Sequence, residues 1–295
     1  MLGQEIDDIY AALYELAHDV DRAAPFAARR TVAAFGHQWA SLPSGKFMLS
    51  DPVFKREVDQ IISTQEVLLK ADWFKGKRVL DAGCGGGRWS YGLAKLGADV
   101  TAVDANASAV AATRHALEEV GGPMRVLQND LESLDQKLPH GSFDLVWSWG
   151  VLHHCVSFTG ALAALTRLLK PGGVLFLYLY GRESVGFADD VRLFKERLHY
   201  AYLQSEAERE RFLAAKAATI GVDIHHAHDI FAPLINRRFE FAEISGLLTG
   251  LGFTAIERTI DHTELWVRAV LGPDDAVLRQ YGLPKKTPPY WFQRA

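Results

Sequence analysis

The stretch Val79-Leu80-Asp81-Ala82-Gly83-Cys84-Gly85-Gly86-Gly87-Arg88 constrains this 295-residue chain more than any other. It reads as a strand that ends in a glycine-dense turn and opens a helix. Such a turn needs glycine because its backbone takes positive φ and because a ligand can then approach closer than a Cβ would permit. The turn predicts a binding site at a strand end. Its spacing narrows the ligand: a dinucleotide fingerprint GxGxxG begun at Gly83 or Gly85 would place its third glycine at position 88 or 90, which hold Arg88 and Ser90. What is met in full is acidic Asp81, then Gly83, Gly85 and Gly87 at every second position.

Around the turn the pattern is one of short apolar runs separated by helix-length segments. Val79-Leu80, Val100 to Val103, Met124 to Leu127, Phe143 to Trp147 and Val174 to Tyr180 read as strands. Helices are expected over about Gly87 to Leu96, Asn106 to Val120 and Thr159 to Leu169. This alternation implies βαβ units, a mainly parallel doubly wound sheet, and a ligand beyond the carboxyl ends of its strands. Residues 1–75 read as a helical cap or lid. Ile6, Ile9, Tyr10, Leu13, Leu16, Ala17 and Val20 share one helical face, and Asp51-Pro52 opens a helix with Phe54, Val58, Ile61 and Ile62. Between them, Phe35 and Trp39 precede the turn residues Pro43-Ser44-Gly45, as a lid or as aromatic anchors of the cap. Residues 76–180 form the core. Residues 181–240 read as a helical insertion, with the stripe Val191, Phe194, Leu198 and Tyr202 and a capping box from Ser205 to Glu208. Residues 241–295 supply a helix at 241–250, a final antiparallel pair at Phe253 to Ile256 and Leu265 to Val270, and a tail.

The acidic residue followed by GxGxG resembles the first motif of the class I, Rossmann-like S-adenosylmethionine-dependent methyltransferases, and four further matches follow in order across residues 78 to 180. The second strand ends at Asp104, 23 residues after Asp81. The resemblance implies that Asp104 accepts from ribose hydroxyls and that Ala105 packs on the adenine face. It implies that the Asp130 carboxylate and the Leu131 amide, after Asn129, read the adenine edge. Phe143 to His154 is similar to the family's fourth strand, and Lys170-Pro171-Gly172-Gly173 to the turn before its fifth. The Gly83 to Gly85 backbone, including Cys84, and a carbonyl near Ser148 would then hold the methionine end, with Asp81 and Gly87 belonging to the same cofactor site. The implied fold is an α/β seven-stranded sheet, the implied cofactor S-adenosylmethionine, and the implied activity methyl transfer.

Transfer from a sulfonium needs alignment and exclusion of water, and a general base only where the acceptor keeps its proton at neutral pH. His153 and His154, just past the fourth strand, are the candidates for that base, His154 ahead, although both could equally be packing residues. His225, His226, His228 and Asp229 form a second cluster, expected as a loop lining the acceptor pocket and not as a metal site. Arg237 and Arg238 could pair with a substrate carboxylate or lie at the surface. Trp39, Trp89, Trp147, Trp149, Tyr178 and Tyr180 offer aromatic walls for a small, partly apolar acceptor.

Composition excludes several classes. Lys and Arg total 32 against 36 Asp and Glu, so no nucleic-acid partner is expected. The longest apolar runs fall far short of the roughly 20 residues that span a bilayer, and the acidic start Glu5, Asp7 and Asp8 is unlike a secretory signal. Two cysteines, Cys84 and Cys155, form no CxxC pair, which fits a reducing cytoplasm. The expected activity is methyl transfer to a small molecule. The same cofactor site could instead serve cyclisation with release of methylthioadenosine, or a non-catalytic binding module.

Overall fold

At Arg78 the helical periodicity of the first 75 residues gives way to the first strand, and the layers follow from that switch. A computed structural model of the protein describes residues 2–42, 47–121 and 124–293; the expected turn at Pro43-Ser44-Gly45 lies outside them. The first segment holds α1 (Leu2–His18), α2 (Pro25–Ser41) and α3 (Pro52–Ile61), the last opened by Asp51, whose carboxylate accepts from the Val53 and Phe54 amides. The core follows as β1 (Arg78–Ala82), α4 (Arg88–Lys95), β2 (Asp99–Asp104), α5 (Ala107–Val120), β3 (Met124–Gln128), β4 (Phe143–Trp149), α6 (Phe158–Leu168) and β5 (Leu169–Leu179). Then come α7 (Phe187–Tyr202), α8 (Glu206–Ile220), α9 (Ile224–Phe231), α10 (Phe241–Gly250), β6 (Phe253–Arg258), β7 (Leu265–Leu271) and α11 (Ala276–Tyr281).

Among the described residues the strands make one seven-stranded sheet in the order β3-β2-β1-β4-β5-β7-β6. Strands β1 to β5 run parallel, and β7 lies antiparallel to both β5 and β6. The chain winds outward from β1 in one direction and from β4 in the other, so the crevice of a doubly wound sheet opens beyond the ends of β1 and β4. Alternating strand residues feed two cores. Val79, Leu145, Trp147 and Phe176 pack under α3 and α4, while Leu80, Val146, Leu175 and Leu177 pack under α6 and α10.

Three local expectations change. Lys170 to Gly173 is not a turn ahead of β5; the strand starts at Leu169, opposite Phe143, and the four residues bulge before pairing resumes at Leu145 and Val174. The stripe read on α1 is only partly its buried face: Ala17 is fully buried and Leu13 packs on the core, but Ile9 and Leu16 are 59% and 55% exposed, and Tyr14, outside the stripe, is 5% exposed. A polar contact decides that rotation, because the Tyr14 hydroxyl donates to the buried Asp190 carboxylate at 2.7 Å and small Ala17 lets the cap pack close. Residues 224–231, expected as a loop, form α9, capped by Asp223, which accepts from the His226 amide. The capping box of Ser205 and Glu208 opens α8 as expected. Among the described residues no helix is long and apolar enough to cross a membrane.

Gly87 joins the turn to α4 at φ +83°, and a Cβ there would stand 2.9 Å from the Thr113 Cα on α5. Backbone strain and the clash with a neighbouring helix add up. Gly87→Ala should cost about 2–4 kcal/mol in urea denaturation, against about 1 kcal/mol for Gly221→Ala. Gly221 shares the positive φ (+72°) but would place its Cβ in open space. Equal losses would contradict the assigned helix contact.

Candidate active site

The turn after β1 is built from left-handed glycines, Gly83 at φ +88° and Gly85 at φ +51°. The Gly83 and Cys84 amides both donate to the Val103 carbonyl at 2.8 and 2.9 Å, which fastens the turn to β2. The close approach that glycine permits here is made by protein groups. A Cβ on Gly83 would lie 2.3 Å from the Val151 side chain, and one on Gly85 2.6 Å from the Trp39 indole. Asp81 sits behind the turn, buried, and accepts from the Ser90 hydroxyl at 2.5 Å.

A cavity of about 260 Å³ opens over this turn. At its β2 side Asp104 accepts from the Gly85 amide at 2.9 Å and the Asn106 amide at 2.8 Å; burial raises its carboxyl above the ordinary value, against those bonds. Ala105, Asp130 and Leu131 line the same side, with the Asp130 side chain exposed. Gly83, Cys84 and Gly85 line the floor. Gly87, Asp81 and Ser148 do not line it among the described residues: Ser148 is buried and its hydroxyl donates to the Ala82 carbonyl at 2.9 Å. Burial pushes the Cys84 thiol well above its usual range, which leaves it a packing group and not a nucleophile.

The opposite wall comes from the cap and the insertion. From α2, Thr31, Phe35, Gln38 and Trp39 enter the cavity, and from α9, His225 and Asp229, one helical turn apart. Gln38 Nε2 donates to Asp229 Oδ1 at 2.7 Å, and Trp39 meets His225 edge-on at 5.4 Å, so the two helices close over the glycine turn together. Of the aromatic candidates, Trp39, Trp89, Trp149 and Tyr180 line the cavity, whereas Trp147 and Tyr178 are core.

The paired histidines part company. His154 lines the cavity, its Nδ1 2.6 Å from the Ile235 carbonyl. A carbonyl only accepts, so Nδ1 carries the proton and Nε2 keeps its lone pair. Burial, with nearby arginines, lowers its pKa to about 3, so the ring is neutral at any ordinary pH. His153 does not line the cavity; it is fully buried against Tyr180, ring centroids 4.1 Å apart. The arginines read as substrate arms are internal clamps. Arg237 donates to the carbonyls of His18, Asp19, Cys155 and Val156, and Arg238 pairs with Asp190 at 3.6 Å and Glu264 at 3.4 Å. Neither lies at the surface. His228 is buried beside Tyr200, and no His, Cys, Asp and Glu group among the described residues is arranged to hold a metal ion.

Two features escape sequence reading. Arg88, noticed only as a missing glycine, lines the cavity. Glu66, on the π-helical segment Ile62–Glu66, is wholly buried and accepts from the indole N–H groups of Trp149 (3.0 Å) and Trp291 (2.5 Å). The C-terminal tail thus reaches the cavity wall.

Residues 80–177 match the family model described as a methyltransferase domain. Over those residues the chain is similar to a methyltransferase domain. It is 37% identical over 125 residues to the ubiquinone biosynthesis O-methyltransferase of Dechloromonas aromatica, covering 40% of this chain and 53% of that one. To the protein of the same name from Xanthomonas euvesicatoria it is 43% identical over 114 residues, 38% of this chain and 47% of that one. The chain spans about half the length of these curated relatives. In fold it resembles an O-methyltransferase family protein from Burkholderia thailandensis, with a TM-score of 0.50 at 14% identity over 74% of this chain and 56% of that one.

Beneath the glycine turn, burial drives the Asp81 carboxyl up to about 7, with the Ser90 bond opposing. A carboxyl raised in the fold stabilises it fully below the unfolded pKa, and that contribution fades as pH climbs through about 7. Asp81→Asn keeps an acceptor oxygen for Ser90 and removes the titration. The stability of the unmodified chain minus that of the variant should therefore fall by roughly 2–4 kcal/mol from about pH 5 to about pH 8.5 in urea denaturation. A constant difference would place the ionised carboxylate in a better-solvated setting than the one described.

Proposed function

We propose that the chain transfers a methyl group from S-adenosylmethionine to a small, partly apolar acceptor enclosed between the first 75 residues and the 181–240 insertion. The observation that carries this reading is one cavity with a ribose-type carboxylate, Asp104, on its β2 side and a neutral histidine, His154, among aromatic walls on the other. The residues present fit the cofactor: left-handed glycines floor the cavity, and the exposed Asp130 carboxylate stands beside Ala105 and Leu131. Once bound, S-adenosylmethionine supplies a methyl group already activated by the sulfonium charge.

In this reading Asp104 accepts from the ribose hydroxyls, while Asp130 and the Leu131 amide read the adenine edge. Gly83, Cys84 and Gly85 border the methionine end, and Asp81, Gly87 and Ser148 act at one remove by fixing the turn. The rings of Phe35, Trp149 and Tyr180 line the same cavity and suit both a cationic centre and an apolar acceptor. The curated relatives are named O-methyltransferases, which supports oxygen as the accepting atom. His154 Nε2 then takes the acceptor's proton. A nitrogen of low basicity suffices, because a hydroxyl oxygen that is gaining a methyl group becomes a strong acid. The net charge of −4 and the two free thiols support a small-molecule substrate and a reducing cytoplasm.

The test is incubation with S-adenosylmethionine and a panel of small hydroxylated aromatic acceptors, followed by analysis of the sulfur product. S-adenosylhomocysteine with a methylated acceptor is expected; methylthioadenosine would assign a cyclising reaction instead. His154→Ala should lower turnover by roughly 10²–10⁴-fold while leaving S-adenosylhomocysteine affinity unchanged. Activity of the original enzyme attributable to the His154 ring should not decline from about pH 8 to about pH 5, since the neutral form persists across that range. Full turnover in the variant would remove His154 from the chemistry.

A further inference from the structure

Three segments far apart in the chain meet at one buried carboxylate. After α3 the helix widens into the π-helical turn Ile62–Glu66, which brings consecutive Gln65 and Glu66 inward together, 5% and 0% exposed. The segment after α11 runs back along this turn: the Leu283 amide donates to the Leu68 carbonyl at 2.8 Å, and the Trp291 amide to Gln65 Oε1 at 2.8 Å. Each Glu66 oxygen then takes one indole, Oε1 that of Trp291 at 2.5 Å and Oε2 that of Trp149 at 3.0 Å. Burial pushes the Glu66 carboxyl up to about 7, and the two indole bonds oppose that rise.

Of these groups Trp149 alone lines the cavity among the described residues. Tyr178 stacks on its ring, centroids 4.1 Å apart, and the Arg88 guanidinium carbon lies 4.5 Å from its centroid. Stacking resists tilting of an indole but lets it slide and turn in its own plane. A hydrogen bond from the ring edge is directional and removes that freedom. The carboxylate that receives this bond is held in turn by Trp291. Without the Trp291 N–H, a wholly buried oxygen loses its partner, so the Glu66 side chain must turn or take up a proton, and either change releases Trp149. The Trp291 ring also stands edge-on to Phe47 at 5.0 Å and to Trp89 at 5.7 Å, contacts that need no N–H.

We propose that Trp291 is a positioning residue: through the Glu66 carboxylate it sets the orientation of Trp149, and with it the shape of the wall that a bound ligand meets. Trp291 and Glu66 both lie outside residues 80–177, so this control of the cavity comes from beyond the stretch that matches the methyltransferase domain model. The proposal rests on the methyltransferase reading above for the identity of the ligand, and adds to it a residue that acts without lining the cavity.

Calorimetric titration of the full chain with S-adenosylhomocysteine supplies the test, run on the unmodified protein, Trp291→Phe, Trp149→Phe and the double variant. Phenylalanine keeps the ring contacts of position 291 and deletes the N–H. Trp291→Phe should weaken binding at least about threefold, the lower range of coupling within one network. With Trp149→Phe already in place the same change should alter affinity by less than about twofold, since Glu66 then has no cavity indole to hold. A merely structural role would lower the Tm of Trp291→Phe and leave its affinity unchanged, which overturns the proposal. Equal weakening in both backgrounds overturns it too, because the effect would then bypass Trp149. Should a variant not fold, hydrogen exchange of the unmodified protein still decides. Coupling is reciprocal, so saturating S-adenosylhomocysteine should slow exchange of the Trp291 amide at least about threefold. Unchanged exchange there, in a complex that calorimetry shows to have formed, overturns the proposal without any substitution. Failure of the unmodified protein to bind S-adenosylhomocysteine would instead refute the cofactor assignment itself, and this proposal with it.

Discussion

The Asp104 carboxylate accepts from the Gly85 and Asn106 amides, and through these two bonds the end of β2, the turn after β1 and the start of α5 become one rigid unit. The Val103 carbonyl reinforces it by taking the Gly83 and Cys84 amides. Left-handed glycines are what let the backbone present those amides, so the sequence spacing, the turn geometry and the position of the carboxylate are one constraint. The cost lies in burial: both Asp81 and Asp104 are raised toward the protonated form by desolvation, and their hydrogen bonds from Ser90 and the turn amides offset part of it.

Over this floor the protein builds a roof from sequence-distant segments. Gln38 on α2 and Asp229 on α9 are 191 residues apart and share a hydrogen bond, and Trp39 packs on the glycines with His225 at its edge. The buried Asp190 joins the same assembly, accepting from Tyr14 of the cap and pairing with Arg197 and Arg238. Charge inside this roof is consumed by structure. Arg237 and Arg238 cannot serve a ligand because backbone carbonyls and carboxylates already use them, whereas Arg88 retains unused donors at the cavity.

The core was legible because each of its strands carries a local signal: apolar runs, capping residues such as Asn106, and glycines at fixed spacing. The nucleoside side of the site, Asp104 to Leu131, lies within those same signals. The acceptor side does not. Its residues are brought in by helices whose rotation depends on tertiary contacts, as when Tyr14 turns the α1 stripe outward to reach Asp190. Likewise the histidine cluster lies on a short helix capped by Asp223 and not on a loop, and its i and i+4 residues, His225 and Asp229, meet the cavity while His228 turns into the protein. Adjacent His153 and His154 both touch Tyr180, and only His154 also lines the cavity, which no spacing reveals. Glu66 gave no signal, since its partners Trp149 and Trp291 are far off in the chain.

The central claim is that the turn after β1 and Asp104 together seat an S-adenosyl nucleoside. Isothermal titration of the purified apoprotein with S-adenosylhomocysteine, repeated on Asp104→Ala, tests it most directly. One site per chain is predicted, weakened by roughly 1–3 kcal/mol in the variant as a lost charge-assisted hydrogen bond would be. No heat with that nucleoside and a clean isotherm with NAD, or an affinity indifferent to Asp104, would contradict it.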